Sequence, residues 1–161
     1  MEPRRIYISG KIGEEIISEA TRQKFALVEE KLTAMGHTVI NPASENFQMF
    51  MKTDFEIFKT IMCYENILFY DLGWLRTCTT IYMLNDYKDS PGARTEHEYA
   101  LATGKKILFQ NRWEASRYLD DMLVKSWKNC QPLMLPEEGE SDFDCKMRFQ
   151  RTHIDEVWLP L

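Results

Sequence analysis

Apolar and polar residues fall into short, alternating blocks along the first two thirds of the chain. Arg5-Ile6-Tyr7-Ile8-Ser9 is rich in β-formers and ends at Gly10, which predicts a first strand. Over residues 14–35 the apolar positions Ile17, Ala20, Phe25, Val28, Leu32 and Met35 recur at near-helical spacing, and Gly36 supplies a stop. His37-Thr38-Val39-Ile40 predicts a second strand, punctuated by Asn41-Pro42. A helical, aromatic-rich region is expected over residues 54–77, with a break near Gly73. Residues 80–84 predict a third strand, 85–92 a polar loop and 93–103 a helix ended by Gly104. Lys106-Ile107-Leu108-Phe109 predicts a fourth strand.

This order of strands and helices predicts an α/β fold, a single doubly wound, flavodoxin- or Rossmann-like parallel sheet of four to five strands with flanking helices. Right-handed crossovers bring the loops after the first and third strands to one C-terminal sheet edge, where such folds bind ligands. Beyond Phe109 the pattern loosens. Residues 114–125 suggest a helix and 136–144, PEEGESDFD, an acidic loop. Val157-Trp158-Leu159-Pro160-Leu161 is apolar for a terminus, a type that docks on its own domain or on a neighbour. The expected organisation is one α/β domain over residues 1–110. A C-terminal extension, 111–161, would pack on that domain or on a partner subunit.

Composition narrows the function classes. The 161 residues are 44% hydrophobic, 12% aromatic and 28% charged, as in a folded globular protein. No apolar run approaches the roughly 20 residues of a membrane helix, and Met1-Glu2-Pro3-Arg4-Arg5 leads straight into a strand. No membrane partner and a cytoplasmic location are therefore expected. The net charge of -5 argues against polymeric nucleic acid as a partner but leaves room for a small anionic ligand. Cys63, Cys78, Cys130 and Cys145 form no C-x-x-C pair, and His37, His97 and His153 are scattered. Reduced thiols and no metal site are expected.

Two loops at the shared sheet edge could carry chemistry. Ser9-Gly10-Lys11-Ile12-Gly13 offers backbone N–H groups and one lysine to an anion at a helix start, though two glycines there also suit a plain strand-to-helix turn. Asp89-Ser90-Pro91-Gly92-Ala93-Arg94-Thr95-Glu96 leads into a helix with a carboxylate expected on its first turn. The positive end of that helix would favour a charged Glu96, as a nucleophile at an anomeric carbon requires. The competing reading is structural, with Ser90 or Asp89 as caps and Glu96 complementing the helix dipole. His97 and Glu98 would turn about 100° and 200° away from Glu96 and are expected at the surface.

Ile6-Tyr7-Ile8-Ser9-Gly10, Asn41-Pro42-Ala43, Ile81-Tyr82-Met83-Leu84, Ser90-x-Gly92-Ala93-x-x-Glu96 and Gly104 follow one another in an order that resembles the nucleoside 2-deoxyribosyltransferase superfamily. Within it, the likeness is to small bacterial and phage proteins related to the deoxyribosyltransferases and the 2′-deoxynucleoside 5′-monophosphate N-glycosidases. It spans residues 5 to 110. The resemblance implies that Glu96 attacks C1′ of the sugar and that Tyr7 hydrogen-bonds and orients it. It implies that Asp71 binds sugar hydroxyls, that Ser90 and Gly92 lie on the phosphate or sugar side, and that Gly10 and Lys11 sit near the 5′ end of the substrate. Two positions depart from the pattern: Cys78-Thr79 replaces a Cys-Asp pair, and Gly13 stands where monophosphate-specific relatives carry arginine.

The expected activity is cleavage or exchange of the N-glycosidic bond of a nucleoside or nucleotide, foremost a 2′-deoxy one. The resemblance implies no metal and no cofactor, and a homodimer or larger homo-oligomer, since relatives complete their sites with a neighbouring subunit. The aromatics between Phe47 and Trp74 would form core or interface, with one or two free to stack on a base. The alternative is a non-catalytic nucleotide-binding or signalling module. A lysine-decarboxylase-like phosphoribohydrolase, which also pairs a Pro-Gly turn with a downstream glutamate, needs more glycine than Pro91-Gly92-Ala93-Arg94-Thr95 provides.

Overall fold

The computed structural model of the chain describes residues 2–161. Four strands, β1 (Arg5–Ser9), β2 (Thr38–Ile40), β3 (Thr80–Met83) and β4 (Lys106–Phe109), form one all-parallel sheet in the order β2-β1-β3-β4. The helices are α1 (Glu19–Ala34), α2 (Glu45–Ile57), α3 (Tyr64–Arg76), α4 (Pro91–Ala102), α5 (Arg112–Lys128) and α6 (Asp142–Val157). The sheet is Rossmann-like: β1 sits centrally, with Ile6 opposite Val39 on one side and Thr80 on the other. Residues 6–9 are buried without a break, as a strand covered on both faces requires. From β1 the chain moves to β2 on one side, whereas β3 lies on the other. The winding therefore reverses between β1 and β3, and it is beyond the C-terminal ends at such a reversal that doubly wound sheets bind ligands.

Serines start most of the helices. Ser18, Ser44, Ser90 and Ser141 each accept a backbone N–H two or three residues on, and Asn111 does the same for α5. These caps correct several expected boundaries. α1 begins at Glu19, five residues later than its apolar pattern suggests, because Ser18 and not Gly13 ends the loop. The 54–77 region is the end of α2 plus the whole of α3. The break falls at residues 58–63, where Lys59 takes a left-handed φ of 52°, while Gly73 lies inside α3. The loop after β3 contains a 3₁₀ turn at Tyr87–Asp89, and α4 starts two residues early, at Pro91.

The chain divides into two compact units, one ending at Ile107 and also taking in Leu161, the other Leu108–Pro160. In the second unit α5 packs on α6 through Ala115, Leu119, Leu123, Cys145, Phe149 and Val157. Trp158 bridges to Phe109, and the Leu159 N–H donates to the Phe109 carbonyl at 2.9 Å. α6 replaces the acidic loop beyond Ser141, and α5 is longer at both ends than expected. Among the described residues no helix is long and apolar enough to cross a membrane. All four cysteines are free: Cys78 and Cys145 are buried, Cys63 and Cys130 exposed.

Candidate active site

The buried stripe of α4 is Ala93, Glu96 and Ala100, one carboxylate between two alanines. Small neighbours let the helix come close to β1 and β3, and the Glu96 side chain then reaches the sheet. Alternation along β1 sends Tyr7 and Ser9 to one face, and both are fully buried. The Tyr7 hydroxyl donates to Glu96 Oε1 at 2.8 Å. The Ser9 hydroxyl donates to Glu96 Oε2. Each carboxylate oxygen is thus held by its own donor, and Glu96 as a whole is 6% exposed.

Burial decides the charge of this group. Glu96 is pushed up to about 7 by loss of water, against the pull of the hydrogen bonds from Ser9 and Tyr7. The expectation of a first-turn carboxylate whose charge the helix dipole favours is therefore corrected in its placement. With Pro91 opening α4, Glu96 lies on the second turn, where the dipole has faded, and desolvation dominates. Tyr7 is raised well above its ordinary value by burial and then by Glu96, so its phenol stays a donor at any working pH. Asp71, half-buried on α3, is pushed up to about 8 by burial and then by the Glu96 charge. Near neutral pH the site holds one carboxyl ready to lose its proton and another that keeps it.

The other predicted residues make no hydrogen bond to Glu96 among the described residues. Ser90 caps α4, its hydroxyl accepting the Ala93 N–H at 3.2 Å, which is the structural role weighed for it. Gly92 lies in the first turn of α4. A Cβ there would stand 3.3 Å from the exposed Tyr64 hydroxyl, so the start of α3 meets the start of α4 at this glycine. Gly10 is required sterically: a Cβ there would fall 2.6 Å from Leu84 Cδ1, where the exits of β1 and β3 pass each other. The Lys11 N–H is spent on Asp86 Oδ1 at 3.0 Å, and Lys24 bridges the Lys11 carbonyl and Asp86 Oδ2.

Gly10 to Gly13 do not open a helix, so the expected anion seat there is absent. The start of α1 is filled by the chain's own Glu14, which accepts the Ser18 N–H at 2.6 Å and the Thr21 hydroxyl at 3.0 Å. The first of these bonds is the main reason Glu14 sits below the usual carboxylate range. His97 is half-buried against the Tyr87 ring, 5.4 Å between centroids, and is not the surface residue expected; Glu98 is exposed. Among the described residues no group of three or more His, Cys, Asp or Glu could hold a metal ion.

The aromatic segment splits. Phe47, Phe55, Tyr70 and Trp74 form an edge-to-face cluster, with the Tyr70 hydroxyl on Asp54 at 2.8 Å. Phe50, Phe58, Tyr64 and Phe69 are exposed. Phe50 and Trp74 also line a cavity of about 460 Å³ beside the exit of β2.

Ser9 is the site residue that the sequence pattern does not single out. Its signal is positional: a polar side chain two residues beyond Tyr7 on a strand buried on both faces must find a buried partner. No curated protein and no solved structure shows a significant match to the chain. A family model described as a domain of unknown function, DUF4406, matches residues 4–109, which include the whole sheet and Tyr7, Ser9, Asp71 and Glu96. The chain belongs to the DUF4406 family.

Proposed function

We propose that this protein breaks or exchanges the N-glycosidic bond of a 2′-deoxynucleoside or nucleotide, with Glu96 as the nucleophile. The observation that carries the reading is the 2.8 Å hydrogen bond from Tyr7 to a carboxylate buried between α4 and the sheet. These are the two residues that the deoxyribosyltransferase resemblance pairs, and they come from positions 89 residues apart.

The chemistry uses the two carboxyl groups in opposite states. A Glu96 oxygen attacks C1′ as the C1′–N bond breaks, and the bonding pair leaves on the base nitrogen. Asp71, protonated at neutral pH, supplies the proton that nitrogen takes up. In the second step water, or a ring nitrogen of a second base, attacks C1′. Asp71 accepts the proton, and the Glu96 ester is released as carboxylate. Tyr7 and Ser9 hold the nucleophile in line throughout. The exposed Phe50, Phe58, Ile61 and Phe69 support self-association through the α2–α3 region, which completes the site in a homo-oligomer.

The test is a chromatographic screen for free base, run over the common nucleosides and monophosphates with and without an acceptor base. Release by the parent and its loss in Glu96→Gln are expected. Tight nucleotide binding without release would support the non-catalytic module. A strict monomer in light scattering at high micromolar concentration would contradict the self-association.

A further inference from the structure

Ser9 closes β1 and is fully buried. Its main chain is already committed, the carbonyl accepting the Leu84 N–H at 2.8 Å. An alanine would fit the same position with no polar group to satisfy. A hydroxyl buried there needs a partner, and its partner is one oxygen of an ionisable group. Tyr7 and Ser9 are two residues apart on one face of the strand, so each meets a different oxygen of the carboxylate that α4 delivers.

We infer that Ser9 is a positioning residue that fixes Oε2 of Glu96 and favours its charged form against burial, thereby setting the pH at which the site can attack. Its consequence for turnover rests on the reading of Glu96 as nucleophile; its effect on the charge of Glu96 does not.

The groups acting on Glu96 can be assigned by element. Burial between α4 and the sheet opposes the charge, and the charge of Glu96 in turn raises Asp71 on α3. Two hydroxyls of β1 favour it. Tyr7 keeps its proton in any working range and donates it to Oε1. Ser9 can donate to the carboxylate and accept from the carboxylic acid, so it stays bonded in both states and keeps the group in one orientation. Donation to the anion is the stronger of the two bonds, and this tilts the balance towards charge.

The experiment follows the titration of Glu96 itself, by ¹³C NMR of side-chain-labelled glutamate with Glu96→Gln locating the signal. In Ser9→Ala the midpoint should move up by about one pH unit or more, the usual weight of a hydrogen bond to a charged group. Ser9→Cys, nearly isosteric with a weak donor, should move it the same way, and Ser9→Thr should bring it back towards the parent. The acid limb of kcat/KM for base release should rise in parallel in Ser9→Ala, a shift that a purely packing role would not produce. A folded Ser9→Ala protein in which Glu96 titrates at the parent's pH overturns the assignment, whatever its activity. A shifted titration with an unmoved acid limb leaves Ser9 in place and removes Glu96 as the nucleophile.

Discussion

Two turns leave the sheet at the same edge, one after β1 and one after β3, and each leads to a helix opened by a serine cap. After β1 the chain spends its own charges on itself. Glu14 occupies the start of α1, and Asp86 and Lys24 hold the main chain of Lys11. After β3 the acid is placed one turn deeper. Pro91 and Gly92 occupy the first turn of α4, and Glu96 is carried into the interior between two alanines. A carboxylate at an exposed helix start is lowered and stabilising; a carboxylate buried beneath the helix is raised and costs stability when charged. The same residue type is thus solvated in one turn and desolvated in the other.

The comparison breaks first at Glu96. Glu96→Gln should lower base release by roughly 10⁴-fold or more, since the amide keeps the shape but forms no ester. The same variant should gain stability in alkali. Glu96 has a folded value near 7, above its ordinary 4.5, so its contribution is present below the ordinary value and lost as pH rises through about 7. At pH 9 Glu96→Gln should therefore melt above the parent by several degrees, and at pH 4 the two should coincide. An unchanged order of melting temperatures across this range would mean that Glu96 is not desolvated.

Asp71→Asn sharpens the division of labour. Losing a general acid should cost about 10²- to 10⁴-fold and flatten the alkaline limb of the kcat/KM profile, which in the parent falls above about 8. The parent's acid limb, near 7, should remain. An alkaline limb that persists in Asp71→Asn would show that another group supplies the proton. Tyr7→Phe should be milder, about 10- to 1000-fold, because one orienting hydrogen bond is lost and the attacking group stays.

At the small end, Glu14→Gln should leave base release unchanged and lower the melting temperature slightly, since it weakens only the exposed start of α1. A large loss of activity in this variant would erase the distinction between the two turns.

Much of this arrangement was legible along the chain. β1 and β4 have the bounds that their apolar runs predict, and the strand-helix alternation leads to the parallel sheet. Helix starts were less visible because a cap is one serine among many. Ser18 lies inside a stretch whose apolar spacing already looks helical, and the break at 58–63 has no glycine, only Lys59 in a left-handed turn. α6 was hidden by its charges, although Ser141 and Asp144 form a capping pair ahead of Cys145, Phe149, Ile154 and Val157. At the site, the Tyr7–Glu96 pairing was anticipated, but the charge of Glu96 was not. Spacing locates a carboxylate on a helix, whereas its desolvation depends on how closely Ala93 and Ala100 let that helix approach β1.

The most direct test of the central claim is intact-protein and peptide mass spectrometry on protein quenched in acid during turnover of a 2′-deoxynucleoside. The account predicts a deoxyribosyl ester on the peptide that carries Glu96, absent in Glu96→Gln. Base release by the parent with no adduct on Glu96, and undiminished release by Glu96→Gln, would contradict it.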